Sequence, residues 1–139
     1  MAAPVRVAFL GGLGEIGRNC MAIEQDGEIV VIDCGLMFPD ADMHGIDLVL
    51  PDFTYLRERA DRIVGLVATH GHEDHVGGIQ YLLRDDGIGG ARTAPLPVYG
   101  AALTLGLARS RIEEAGLLGR IDMRPVADLD VVDVGPFRV

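Results

Sequence analysis

Short runs of alternating apolar and polar residues dominate the first third of the chain, and this two-residue period predicts strands. Residues 5–10 (VRVAFL) read as a first strand closed by Gly11 and Gly12. Residues 20–24 (CMAIE) and 29–33 (IVVID) read as a hairpin around Gln25-Asp26-Gly27, since Asp-Gly is a strong turn signal. Residues 34–53 form a long acidic loop containing Pro39 and Pro51, after which Thr54 caps a short helix running to about Asp61. Residues 63–69 (IVGLVAT) are nearly all apolar, the pattern of a strand buried on both faces. A helix is expected over 76–84, a short strand around Val98, and a helix over 101–115 with arginines and glutamates on one side. The closing run DLDVVDVGPFRV predicts a strand, a turn at Gly135-Pro136, and the start of another strand. It stops in an apolar stretch with no polar tail, so the 139 residues are expected to be a piece of a longer protein. There is no internal repeat, low-complexity tract or linker.

Composition narrows the class. An apolar fraction of 49% against 24% charged residues describes a globular chain with a real core. No apolar run approaches the roughly 20 residues that span a bilayer, and the start lacks a secretory layout, so a cytoplasmic protein without a membrane is expected. Cys20 and Cys34 then read as free thiols in a reducing compartment, with a disulfide or a metal role for Cys34 as lesser alternatives. All 12 basic residues are arginine, and the net charge is −9. That balance argues against a surface gripping nucleic acid by phosphate neutralisation alone. It does not exclude a nuclease, because bound metal ions offset carboxylates locally.

The segment His70-Gly71-His72-Glu73-Asp74-His75 carries the chemistry. Side chains two apart in an extended segment point the same way, so His70 and His72 can share a metal. Where the chain turns into the next helix, Asp74 and His75 face a neighbouring position. Imidazole nitrogen and carboxylate oxygen suit zinc or manganese. Three of the chain's four histidines fall within these six residues, which a chance polar turn does not explain.

THGHEDH matches the HxHxDH motif of the metallo-β-lactamase superfamily. HGHEDHVGGIQYLLR, LGGLGEIGRN, VIDCGLMFPD and GIDLVLPDFTYL together resemble the ribonuclease J family of β-CASP nucleases, over nearly all of the chain. The resemblance implies a layered α/β fold: the N-terminal half of an αβ/βα sandwich, with mixed sheet and flanking helices. In domain terms, residues 1–139 would be the N-terminal part of one metallo-β-lactamase domain, truncated before the remaining metal ligands. It further implies a two-metal ribonuclease, a 5′→3′ exoribonuclease with endoribonuclease activity in RNA maturation and decay. His70 and His72 would hold the first ion and Asp74 and His75 the second. Asp33 would support the site from behind the ligands. The two ions, zinc or manganese, would activate a hydroxide and clamp the phosphodiester, with Asp74 as ligand and proton acceptor. The family's remaining ligands would lie beyond Val139, which makes these residues inactive by themselves. RNA is the implied partner, and a homo-oligomer, dimer or tetramer, the implied assembly of the full-length protein. Some of these relatives carry a structural calcium, for which the Gly45 carbonyl and Asp47 are the candidates.

Other readings remain. A small-molecule hydrolase such as a thioesterase would share the superfamily motif, and a degenerate, non-catalytic copy would serve RNA binding or assembly. Gly12-Leu13-Gly14-Glu15-Ile16-Gly17 also fits the dinucleotide fingerprint GxGxxG, and Asp33 falls where a ribose-binding acid belongs. A Rossmann unit needs a crossover helix after that loop, whereas a hairpin strand follows Gly17 within a few residues. No nucleotide cofactor is therefore expected, and the glycines are read as letting this loop lie against the metal site, with Glu15 and Arg18 unassigned. Asp40, Asp42 and His44 read as a solvated loop, and Glu113 and Glu114 beside Arg109 and Arg111 as an exposed helix face.

Overall fold

The alternating runs become strands. The computed structural model of the chain describes residues 3–139. Six strands form one sheet in sequential order: β1 (Arg6–Gly11), β2 (Cys20–Gln25), β3 (Glu28–Ile32), β4 (Ile63–Val67), β5 (Leu96–Gly100) and β6 (Ile121–Pro125). β1 to β3 are an antiparallel meander, and β3 to β6 run parallel. The β2–β3 turn places Asp26 and Gly27 at φ 53° and 80°, the doubly positive geometry that tight hairpins require. Parallel neighbours need crossovers, and these carry the helices. α1 (Thr54–Arg57) precedes β4; α2 (Glu73–Val76) and α3 (Ile79–Leu82) link β4 to β5; α4 (Ala102–Glu114) links β5 to β6.

The helices cover one face. Leu56, Ile79, Leu82, Leu105 and Ile112 pack there on Ile29, Val31, Leu66, Leu96 and Val98 of the sheet. On the other face, Val30 and Tyr99 meet Val134 of a small hairpin, β7 (Asp133–Val134) with β8 (Phe137–Arg138). Burial on both faces explains the unbroken apolar runs of β3 and β4. Each fully buried Ile or Leu contributes about 1.5–3 kcal/mol relative to exposure, so this core fixes where the strand ends lie.

Five details differ from expectation. The helix begins at Thr54, but Thr54 does not cap it; the Asp52 carboxylate accepts its N–H, and that bond holds the Asp52 carboxyl below the usual range. It also ends at Arg57 instead of about 61, giving way to a 3-10 turn over Ala60–Arg62. β4 stops at Val67, two residues early, because the chain must leave the sheet for Thr69 to reach Asp33. The helix expected over 76–84 starts at Glu73, where Glu73 and Asp74 suit the positive helix N-terminus, and is broken at Gly77-Gly78. β6 went unforeseen: IDMRP is brief and follows a glycine-rich turn, and its Ile-Asp-Met-Arg alternation only acquires meaning beside β5.

Candidate metal centre

The carboxyl ends of β3 and β4 lie side by side and deliver the functional residues, as open parallel sheets commonly do. β3 delivers Asp33, which is buried at 6% exposure and held at φ 59°. That left-handed conformation is tolerated by Asp and turns its carboxylate towards the next strand's end. The Thr69 N–H and hydroxyl donate to Asp33 Oδ1 and Oδ2, each at 2.8 Å, and His75 Nδ1 lies 2.7 Å from Oδ2. The carboxylate can only accept from His75, so in the neutral imidazole Nδ1 carries the proton and Nε2 keeps a free lone pair. The Thr69 hydroxyl spends its one proton on Asp33, so it accepts from His70 Nδ1 at 3.1 Å. His70 is thereby left with its own Nε2 free.

A backbone lattice holds α2 in place. Cys34 N–H donates to His75 O at 2.8 Å, Leu36 N–H to Glu73 O at 3.0 Å, Asn19 N–H to Asp74 O at 3.0 Å, and Gly78 N–H to Cys34 O at 2.9 Å. Such an approach excludes side chains: a Cβ on Gly35 would sit 1.7 Å from Asp74 O. Asn19 Nδ2 also donates to Asp74 O at 3.0 Å and to Asp74 Oδ2 at 3.3 Å.

The result is a convergence of His70, Asp74 and His75, with one donor atom from each lying within 4.8 Å of the others. His75 Nε2 is 3.3 Å from Asp74 Oδ2. His72 is exposed and stands outside this triple, its ring edge-on to His70 with centroids 4.8 Å apart. Although the chain has left β4 by residue 68, the His72 ring still lies against that of His70. Two imidazoles and a carboxylate with free lone pairs fit a divalent ion such as zinc or manganese. Clefts of about 210 Å³, reaching Asn19, Asp33 and His75, and about 320 Å³, lined by Ile16, Phe38 and Asp74, flank the triple.

Other candidates fall elsewhere. Gly45 and Asp47 lie in the exposed loop, and among the described residues no cluster of three His, Cys or acidic donors includes Asp47. Cys20 and Cys34 are buried free thiols, and burial pushes the Cys34 thiol well up. Arg111 is exposed, as expected, and pairs with Glu73 of α2. Glu15 and Arg18 acquire a role as loop staples: Glu15 Oε1 accepts from Arg18 Nε at 2.5 Å and from Gly12 N–H at 3.1 Å. Those bonds, Arg18 first, hold the Glu15 carboxyl below its ordinary range. After Gly17 the chain enters β2 at Cys20, not a helix. Sequence reasoning missed Thr69 and Asn19; both flank motifs it had singled out, but their roles depend on contacts across the fold.

The metallo-β-lactamase superfamily model matches residues 13–138, and the chain belongs to that superfamily. Within it the chain is similar to ribonuclease J: it is 47% identical to the Synechocystis protein over 94% of this chain and 19% of that one. It is 44% identical to ribonuclease J of Thermus thermophilus, over 96% of this chain and 23% of the relative. Ribonuclease J2 of Bacillus subtilis is likewise 44% identical, over 92% of this chain and 22% of the relative. The chain thus spans about a fifth of the length of these curated relatives. Among solved structures it resembles the metallo-β-lactamase fold protein YhfI of Bacillus subtilis, with TM-score 0.60 and 17% identity over 97% of this chain and 51% of that one. Human tRNase Z, short form, aligns with TM-score 0.56 and 23% identity over 86% of this chain and 44% of that one. These two likenesses speak for the fold.

Proposed function

We propose that the full-length protein is a metal-dependent ribonuclease that hydrolyses RNA phosphodiesters, in the manner implied by its resemblance to ribonuclease J, and that this chain supplies part of its metal centre. The single observation carrying the reading is the convergence of His70, Asp74 and His75, with Asp33 and Thr69 orienting the two imidazoles from behind. His70, Asp74 and His75 would hold divalent ions, with His72, whose ring lies against that of His70, as a fourth donor. Bound ions would supply water activation and neutralise phosphate charge. The chain's own residues do the rest. Asp33 keeps the His75 proton on Nδ1, Thr69 does the same for His70, and Asp74 is the carboxylate available to accept a proton at its free oxygen.

Both exo- and endonucleolytic cleavage, a two-ion centre, an RNA substrate and a cytoplasmic setting belong to this proposal. On their own the 139 residues would be inactive. They contain no histidine after His75, and two ions need more donors than the four available here. The test is cleavage of a 5′-monophosphorylated RNA by the full-length protein with manganese or zinc. Metal-dependent cleavage lost in a folded Asp74→Ala variant supports the reading, and near-wild-type cleavage by that variant contradicts it. The isolated 139 residues serve as the second arm, where turnover would contradict the claim of incompleteness.

A further inference from the structure

The glycine-rich loop before β2 runs into a strand and not a helix, and it is held in a conformation that glycine adopts readily and other residues do not. Gly12, Gly14 and Gly17 all have positive φ, at 85°, 68° and 129°. The loop is cross-linked through Glu15, Arg18 and the Gly12 N–H, and Arg18 donates onward to Leu50 O at 3.2 Å. Its last residue is Asn19. A Cβ on Gly12 would come within 2.7 Å of Asn19 Oδ1, so the glycine leaves room for that amide.

We propose that Asn19 is a positioning residue for the metal centre: its side-chain amide fixes the Asp74 carboxylate so that Asp74 Oδ2 and His75 Nε2 address one ion. The proposal rests on the metal-centre reading above. Asn19 grips Asp74 three times. Its backbone N–H and its Nδ2 both reach Asp74 O at 3.0 Å, and Nδ2 also reaches Asp74 Oδ2 at 3.3 Å. The orientation of the amide follows from chemistry, because the Asp74 carbonyl can only accept and must face the NH₂ end. With Oδ2 so held, it lies 3.3 Å from His75 Nε2, a separation two ligands of a single ion can adopt. Four backbone bonds already tie Asn19, Cys34 and Leu36 to the α2 region, so the side chain's distinctive contact is the one to the carboxylate. Without it the carboxylate regains rotamer freedom, and each binding event must freeze that freedom again. Groups that orient metal ligands in this way typically change metal affinity about 10–100-fold when removed.

The experiment measures manganese affinity by calorimetry in the full-length protein, with the melting temperature of the metal-free form alongside. Asn19→Leu, similar in size but without the donor, is expected to weaken manganese binding about tenfold or more. Asn19→Ser, which withdraws the amide without adding bulk, is read in the same way should the leucine variant fail to fold. The discriminating comparison is the same change in an Asp74→Ala background. There it should cause no further loss of affinity, while any shift in metal-free melting temperature should persist. Wild-type affinity in a folded Asn19 variant, or an equal loss with and without Asp74, overturns the positioning role. Wild-type affinity in Asp74→Ala itself overturns the metal-centre reading beneath it, and the proposal with it.

Discussion

Asp33 Oδ2 lies 2.7 Å from His75 Nδ1, joining the end of β3 to a histidine 42 residues later in the chain. The same carboxylate takes two bonds from Thr69, so one buried side chain sets both imidazoles, His75 directly and His70 through the Thr69 hydroxyl. Asp33→Ala in the full-length protein should therefore weaken divalent-metal binding about 10–100-fold, which calorimetry would measure. Asp33→Asn, with the same shape, should lose most of this too, because its amide cannot serve all three donors. Unchanged affinity in both variants would show that the back-side carboxylate is dispensable.

The close approach of the loop after β3 to α2 predicts contrasting glycine substitutions. Gly35→Ala places a Cβ 1.7 Å from the Asp74 carbonyl oxygen, and backbone cannot yield as a side chain can. A destabilisation of about 3 kcal/mol or more is expected in chemical unfolding. Gly106, on the exposed side of α4, has nothing within 4 Å of a built Cβ. Gly106→Ala should stabilise by about 0.5–1 kcal/mol, since alanine is the better helix former. Similar behaviour of the two variants would contradict the packing described for Gly35.

Burial, with Cys20 alongside, raises the Cys34 thiol well above its usual value. The unfolded thiol ionises near about 8.5, so this group's contribution to stability is intact below that pH. It is lost as the pH climbs towards the raised folded value. At neutral pH Cys34 should react with iodoacetamide far more slowly in the folded protein than in urea, as peptide mass spectrometry would show. Equal rates in both states would mean the thiol is accessible and ionised.

The dinucleotide fingerprint at Gly12 to Gly17 leads into β2 and not a helix N-terminus, so no backbone donors are arrayed for a pyrophosphate. Calorimetry with NAD should show no saturable heat. Saturable binding that disappears in Gly14→Val would contradict this.

Much of this architecture was legible before any coordinates. The β2–β3 hairpin declares itself through alternation and Asp26-Gly27, and the helix α4 emerges one residue within its expected bounds at each end. HGHEDH announces a metal site because few other tasks gather three histidines and two acids so tightly. What stayed hidden depends on residues far apart in sequence. Asn19 reaches Asp74 across 55 positions, and Thr69 reaches Asp33 across 36. Local patterns carry no trace of such pairings. The extended strand expected to run to Thr69 is shorter for a related reason, since β4 ends at Val67, where Thr69 turns to meet Asp33.

The claim that His70, Asp74 and His75 form the heart of a metal centre is open to direct observation. Crystals of the full-length protein grown with manganese, measured at the manganese absorption edge, would locate the ion by anomalous scattering. The account predicts one peak or a close pair of peaks, with a His70 nitrogen, a His75 nitrogen and an Asp74 carboxylate oxygen each within roughly 2.0–2.3 Å of a peak, and Asp33 behind His75 and bound to neither. A well-occupied ion elsewhere in the molecule, with His70, Asp74 and His75 left unliganded, would contradict it.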